Sequence, residues 1–265
     1  MTAVSDVLAK CRADNRAALI GYLPVGYPSV EVSIEAMRAL VADGCDIVEV
    51  GIPYSDPVMD GPTIQRATEP AVQAGVGVRD ALRAVRAVAD AGAAAVTMGY
   101  WNQVERFGVS AYAAALAEAG GSGAITPDLI PDEAGEWIAA SDEHGLDRIF
   151  LVAPSSTDAR VASTAAASRG FVYASAVMGV TGVRTSVSDA AATLVGRVRS
   201  LAPDIAVCVG LGVSTGDQAA QIAAFADGVI VGSALVKCLL DSPDEAGVAA
   251  VRALSAELAE GVRRR

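Results

Sequence analysis

The feature that most constrains the fold is an alternation of short apolar runs with segments of helical periodicity, repeated along the whole chain. Segments such as 30–42 and 216–225 place apolar residues at helical spacing. Nearly continuous apolar strands indicate a parallel sheet that helices cover on both faces. Eight runs have the length and composition of such strands: 17–22, 46–50, 94–99, 123–126, 148–152, 171–175, 205–209 and 228–231.

Eight strand–helix units in 265 residues favour a closed barrel over an open doubly wound sheet, because an α/β barrel typically needs about 250 residues. Hydrophobic residues make up 52% of the chain, which is enough for a large core. We find no linker, low-complexity tract or break in composition. The prediction is an α/β protein in which residues 1–265 form a single (β/α)8 TIM barrel with parallel strands and short extra helices.

Charge and cysteine usage narrow the class of protein. A formal net charge of -11 argues against nucleic acid and anionic membranes as partners, since both would be repelled. We see neither a secretory leader nor an apolar run of about 18 residues, so a cytoplasmic location is expected. The four cysteines show no C-x-x-C spacing and are predicted to be free, buried thiols: Cys11, Cys45, Cys208 and Cys238.

The rarest residue types exclude several kinds of active site. The chain contains one histidine, His144, which follows a predicted helix and is expected at the surface. Its two lysines, Lys10 and Lys237, lie before the first strand and in the helical segment after the eighth. A histidine-based triad, a multi-histidine metal site and a cluster of catalytic lysines are therefore not expected, and no metal site is predicted.

Acidic residues at the second strand are the first candidates for chemistry, because barrel enzymes carry their reactive groups at the carboxyl ends of the strands. Glu49 lies inside the apolar strand Ile47-Val-Glu-Val-Gly51. A carboxyl group there is either ion-paired to a neighbouring strand or is a catalytic acid whose pKa is raised by apolar surroundings. The stiff loop that follows carries Asp56 and Asp60, which on spacing alone give a weak acid–base signal.

Glycines at three consecutive strand ends predict a phosphate site. They occur in Gly179-Val-Thr-Gly182, Gly210-Leu-Gly212 and Gly232-Ser-Ala234. Glycine allows backbone N–H groups to approach an anion closely, and the loops after strands seven and eight are the usual phosphate site of barrels. The substrate is expected to carry a phosphate.

The stretch Glu49 to Gln65 closely resembles the signature of the tryptophan synthase alpha chain family. Further matching segments follow in the family's order: Gly26-Tyr-Pro28, Tyr100-Trp-Asn102, Pro127-Asp128, Tyr173, Gly179-Val-Thr-Gly182, Gly210-Leu-Gly212 and Gly232 to Lys237. The resemblance implies a lyase that cleaves indole-3-glycerol phosphate to indole and glyceraldehyde-3-phosphate. It also implies a beta-chain partner in an alpha2-beta2 complex, with pyridoxal phosphate on the beta chain and no cofactor on this one.

Site residues follow from the same resemblance, position by position. Glu49 would be the general acid–base, Asp60 would hold the indole N–H, and Tyr173 would assist near the glycerol portion. The other residues implied are Gly182, Gly212, Gly232 and Ser233 for the phosphate, Tyr22, Met98 and Ile125 for the indole pocket, and Pro53, Asp56 and Asn102 for the partner interface.

Three positions depart from the family pattern. Gln103 stands where proline is usual, Gly99 replaces a bulkier residue, and Ala176 stands where serine is expected. Gly99 and Gln103 motivate one alternative to a partner-dependent alpha subunit, a standalone indole-releasing lyase. A catalytically silent regulatory subunit is a second alternative, which the presence of both Glu49 and Asp60 disfavours. Indole-3-glycerol phosphate synthase, a related barrel that relies on lysine, is disfavoured by the scarcity of lysine.

Overall fold

Nine strand segments, all parallel to their neighbours, form one sheet in the computed structural model, which describes residues 4–175 and 187–264. The segments are β1 (Ala18–Pro24), β2 (Ile47–Gly51), β3 (Ala94–Met98), β4 (Gly123–Ile125), β5 (Asp147–Ile149), β6 (Leu151–Val152), β7 (Phe171–Ser175), β8 (Ala206–Gly210) and β9 (Gly228–Val231). Their order in the sheet is β5-β4-β3-β2-β1-β9-β8-β7-β6.

The barrel closes through a fifth strand that is split in two, where the sequence predicted one continuous strand over 148–152. β5 pairs with β4, whereas β6 pairs with β7. The break falls at Phe150, whose carbonyl oxygen accepts a hydrogen bond of 3.0 Å from the backbone N–H of Tyr173. The two segments together complete a nearly closed, eight-stranded (β/α)8 barrel, as predicted.

Helices surround the sheet and supply the second layer of the core. They are α1 (Val4–Ala13), α2 (Val30–Ala42), α3 (Pro62–Gln73), α4 (Val78–Asp90), α5 (Trp101–Phe107), α6 (Val109–Glu118), α7 (Gly135–Glu143), α8 (Asp158–Ala167), α9 (Val187–Leu201), α10 (Gly216–Ala223), α11 (Ser233–Asp241) and α12 (Glu245–Val262), with a 3-10 turn at Pro131–Glu133. The predicted helix over 30–42 is confirmed, and that over 216–225 ends two residues earlier.

Strand burial explains the apolar runs in the sequence. Every residue of β1, β2 and β9 is buried, because one face points into the barrel and the other packs against helices. α1 contributes Val4, Leu8 and Cys11 to the cluster inside the barrel, and the backbone N–H of Val4 donates to the Asp147 carboxylate over 3.0 Å. α1 therefore covers the amino-terminal end of the barrel.

The thiol prediction is confirmed in part. The cysteines are free, and Cys11, Cys45 and Cys208 are buried, but Cys238 is only half-buried because it lies on a face of α11 that is partly open to solvent. His144 caps the carboxyl end of α7 and is half-buried. Among the helices of residues 4–175 and 187–264, none has the length and apolar character needed to cross a membrane.

Candidate active site

Glu49 lies at the centre of the site, in the middle of β2. Its backbone pairs in register with Tyr22 of β1 and Val96 of β3, and its side chain is 0% exposed. Neither carboxylate oxygen has a hydrogen-bond partner among the described residues. The ion pair that the sequence left open is therefore not formed within this part of the chain. Burial raises the pKa of Glu49 to about 8, as expected when a carboxyl group loses its hydration without gaining a partner.

Asp60 approaches the same cavity from the loop between β2 and α3. It is half-buried, and burial raises its pKa to about 6. The cavity has a volume of about 130 Å³ at the carboxyl ends of the strands. Its lining consists of Tyr22, Glu49, Asp60, Ile64, Met98, Tyr173, Gly210, Leu211, Gly212, Ile230, Gly232 and Ser233.

Two tyrosines reach into this cavity across glycines of neighbouring strands. A Cβ atom built on Gly51 would lie 2.5 Å from the Tyr22 hydroxyl oxygen, and one built on Gly210 would lie 2.4 Å from that of Tyr173. Both distances are too short for a Cβ atom, so any residue other than glycine would require the tyrosine ring to move. Burial, and then the charge of Glu49, raises the pKa of Tyr173 well above its usual value, so this hydroxyl stays protonated.

Glycines and a helix start form one side of the cavity. Gly232 precedes α11, Ser233 is its first residue, and Gly212 follows β8. Gly212 and Ser233 are exposed, so this side is open to solvent. Free backbone N–H groups and the helix dipole at such a position favour an anion.

The loop that carries Asp60 is held against the start of α5. The rings of Tyr54 and Tyr100 stack with centroids 4.8 Å apart, and the backbone N–H of Met59 donates to the Tyr100 hydroxyl over 2.9 Å. The side-chain amide of Gln65, one turn into α3, donates to the Asp60 carbonyl oxygen over 2.8 Å.

Most of the residues singled out in the sequence meet at this cavity. Ile125 does not line it: this side chain is fully buried within the barrel interior, among Val96, Ile149 and Phe171. Gly182 and Ala176 lie outside the described residues. None of the three interface candidates is among the residues that line the cavity: Pro53, which is buried, and Asp56, which is exposed, belong to the loop that carries Asp60, and the exposed Asn102 lies in α5.

Sequence reasoning missed several contributors. Ile64, Leu211 and Ile230 also line the cavity: the first two fell within matching segments but were given no role, and only its apolar character could have drawn attention to Ile230. Tyr100 fell within a matching motif, but its bond to the loop backbone has no signature in the sequence.

Both lysines lie away from the cavity, as predicted. Lys10 is exposed on α1, at the amino-terminal end of the barrel, and Lys237 is exposed on α11, where it pairs with Asp241. Across the part of the chain that the structure describes, no group of three or more His, Cys, Asp or Glu residues is arranged to hold a metal ion.

Comparison with known proteins gives consistent matches over the whole chain. A family model described as tryptophan synthase alpha chain matches residues 8–263. The tryptophan synthase alpha chain of Mycobacterium marinum is 66% identical over 255 residues, which are 96% of this chain and 93% of that protein.

Solved structures agree with this match. A structure of Mycobacterium tuberculosis tryptophan synthase superposes with a TM-score of 0.91 at 62% identity, covering 98% of each chain. The tryptophan synthase alpha subunit of Legionella pneumophila superposes with a TM-score of 0.87 at 30% identity, covering 99% of this chain and 98% of that one.

Proposed function

This chain belongs to the tryptophan synthase alpha chain family and is a lyase that cleaves indole-3-glycerol phosphate in tryptophan biosynthesis, and on that premise we propose that Glu49, Asp60 and Tyr173 carry out the cleavage. The observation that carries this assignment is the Glu49 carboxyl group, which is fully buried and has no hydrogen-bond partner among the described residues, in a cavity that also contains Asp60. Structural carboxylates that are buried normally have hydrogen-bond partners, so an orphaned one indicates a functional group.

Glu49 would act as the general acid–base. With a pKa of about 8 it is mostly protonated near neutral pH and can donate a proton to the indole carbon that bears the glycerol chain. The resulting carboxylate would accept the proton of the hydroxyl on the adjacent carbon. The electrons of the breaking carbon–carbon bond return to the ring, which releases indole and glyceraldehyde-3-phosphate and restores the protonated acid.

Asp60 would stabilise the positive charge that protonation places on the indole nitrogen. Its pKa of about 6 leaves it mostly ionised near neutral pH, so the two carboxyl groups differ in charge state. Groups whose pKa values are pushed apart in this way are suited to different roles in one reaction. The Tyr173 hydroxyl, protonated and directed into the cavity, would hydrogen-bond the glycerol portion.

The phosphate would bind at the open side of the cavity, on Gly212, Gly232 and Ser233 at the start of α11. We include Gly182 in the phosphate site because of the family motif alone. Tyr22 and Met98 would contact the indole ring, and both line the cavity. Ile125, placed within the barrel core, would support the pocket from behind.

The chain partners with a tryptophan synthase beta chain. We propose an alpha2-beta2 complex in which Pro53, Asp56 and Asn102 contact that chain, because they lie around the loop that carries Asp60. The exposed side chains of Val58 and Met59 at the loop tip, 86% and 52% accessible, support this face as the interface. We propose that the chain needs no cofactor of its own, since carboxyl groups supply the acid–base chemistry. A cytoplasmic location accords with four free cysteines.

Indole release from indole-3-glycerol phosphate, followed with and without the beta chain, tests this function. We expect low activity alone and strong stimulation by the partner, which closes the loops around the substrate. Full activity without the partner would instead identify a standalone lyase.

The Glu49→Gln variant tests the assignment of the acid. It should lose turnover but keep binding the substrate, because the phosphate contacts lie on other residues. Unchanged turnover in the complex would favour a silent regulatory subunit, and an equal loss of binding and turnover would indicate a structural glutamate.

A further inference from the structure

We propose that Gln103 is a positioning residue for loop 53–60: its bond to the first residue of the loop increases the fraction of isolated chains in which Asp60 lies at the cavity, a fraction that the partner raises further. This inference rests on the proposed role of Asp60. It gives a function to a residue that departs from the family pattern.

The contact itself is a hydrogen bond from α5 to the loop backbone. The side-chain amide of Gln103 donates to the carbonyl oxygen of Pro53 over 2.8 Å, which is good geometry for such a bond. Pro53 is buried and is the first residue of the loop. The helix that carries Gln103 is itself held, since the backbone N–H of Trp101 donates to the Asp128 carboxylate over 2.9 Å.

Gly99 provides the space for this amide. A Cβ atom built on Gly99 would lie 3.2 Å from the Gln103 Oε1 atom and 2.9 Å from Ile52 Cδ1. The two departures from the family pattern therefore lie side by side: the missing side chain at Gly99, just after β3, leaves room for the longer one in α5. Proline, which is usual at position 103, has no side-chain donor and could not form this bond.

The bond adds a third anchor to a loop that is already attached at two places. Tyr100 binds the loop near its start through Tyr54 and near its tip through Met59, and Gln65 binds the carbonyl of Asp60. The Gln103 bond adds a hydrogen bond to the first residue of the loop, next to the stacked Tyr54. A loop that is held at its start, tip and end adopts fewer open conformations. A larger fraction of chains therefore has Asp60 at the cavity before the substrate reacts.

Gln103→Met tests the proposal, because it keeps the length of the side chain and removes the donor. For the isolated chain we expect kcat to fall about fivefold, the effect of one lost hydrogen bond, with a smaller change in KM. Adding the beta chain should recover most of this loss. Gln221→Met, on the exposed face of α10, is the matched control and should change neither constant.

Limited proteolysis gives a second measurement that does not depend on catalysis. Thermolysin cuts before large apolar residues, and Val58 and Met59 are exposed. We expect Gln103→Met to be cut in loop 53–60 several times faster than the unaltered chain or the Gln221→Met control. Equal cutting and equal kcat in the isolated chain would overturn the proposal.

Gly99→Ala provides an independent route if Gln103→Met does not fold. The added Cβ should press on Ile52 and displace the Gln103 amide, and because the second effect is absent in a Gln103→Ala background, the cost should be smaller there. The same cost in both backgrounds would show that the two residues act separately and would overturn the proposal. Asp60→Asn separates the hypotheses: if it leaves turnover intact, the assignment of Asp60 has failed, whatever Gln103 does to the loop.

Discussion

The hydroxyl oxygen of Tyr173 lies over the Cα atom of Gly210 on the adjacent strand, in the place that a side chain of any other residue would take. Tyr22 has the same relationship to Gly51. Each glycine at a strand end thus lets a phenol from the neighbouring strand extend across it. The shape of the cavity depends on these two tyrosine–glycine pairs as much as on the carboxyl groups.

Gly210→Ala should displace the Tyr173 ring. The added Cβ would lie 2.4 Å from the hydroxyl oxygen, so the ring must move out of its place in the cavity. We expect kcat to fall about tenfold, as for one misplaced hydrogen-bonding group. In a Tyr173→Phe background the same change should cost much less. Gly135→Ala, where a Cβ would meet nothing within 4 Å, is the control. Equal costs in both backgrounds would mean that the Tyr173 hydroxyl is not the group affected.

Glu49→Gln should stabilise the folded chain at alkaline pH. Burial raises the pKa of Glu49 from 4.5 to about 8, so the folded state holds a proton that the unfolded state releases. The stability of the unaltered chain therefore declines as the pH rises from about 4.5 through about 8. Glutamine does not titrate, and the gain should approach a limit on the order of 5 kcal/mol above pH 8. Urea unfolding of both chains at acidic and alkaline pH measures it. A difference that does not depend on pH would refute the raised pKa.

The pH dependence of kcat/KM should be bell-shaped, with its maximum between the two carboxyl pKa values. In the proposed roles Asp60 acts ionised and Glu49 acts protonated, so we expect activity to be lost below about 6 and above about 8. The phosphate of the substrate also titrates near 6. The residual activity of Asp60→Asn distinguishes the two, because only the limb due to Asp60 disappears in that variant. An unaltered acid limb would assign it to the substrate.

Gly232→Val should weaken phosphate binding. A Cβ at this position would lie 3.3 Å from Tyr22 Cδ1, so the first added carbon nearly fits, and valine adds two further methyl groups at the residue that precedes α11. We expect KM to rise about tenfold or more, with a smaller fall in kcat, and inorganic phosphate to become a weaker inhibitor. A fall in kcat at unchanged KM would place the phosphate elsewhere.

Much of the fold could be predicted from periodicity, because strands buried on both faces have a continuous apolar pattern. The break at Phe150 could not be predicted, because Arg148 to Val152 form one continuous run in the sequence. The run is divided only where the sheet closes. The depth at which a side chain lies inside the barrel could not be predicted from the sequence either. Alternation along β4 indicates that Ile125 points inward, but it gives no information on whether that residue reaches the cavity or packs beneath it.

The candidate site could likewise be predicted only in part. The sequence identified Glu49 because a carboxyl group in an apolar strand is costly, and this cost is visible in the residue types alone. The sequence did not indicate that Gly99 and Gln103 lie next to each other. Each stood out as a separate departure, and only the packing of α5 against loop 53–60 makes them one feature.

The placement of the two lysines has a consequence for what happens after the bond breaks. One product of the reaction is an aldehyde, and aldehydes condense with free amines to give imines. The described lining of the cavity offers carboxyl groups, phenols and backbone amides, while Lys10 lies at the far end of the barrel and Lys237 is paired with Asp241. If this cavity is the active site, the aldehyde forms where the described lining offers no amine for it to modify, and we expect the site to stay unlabelled over repeated turnover.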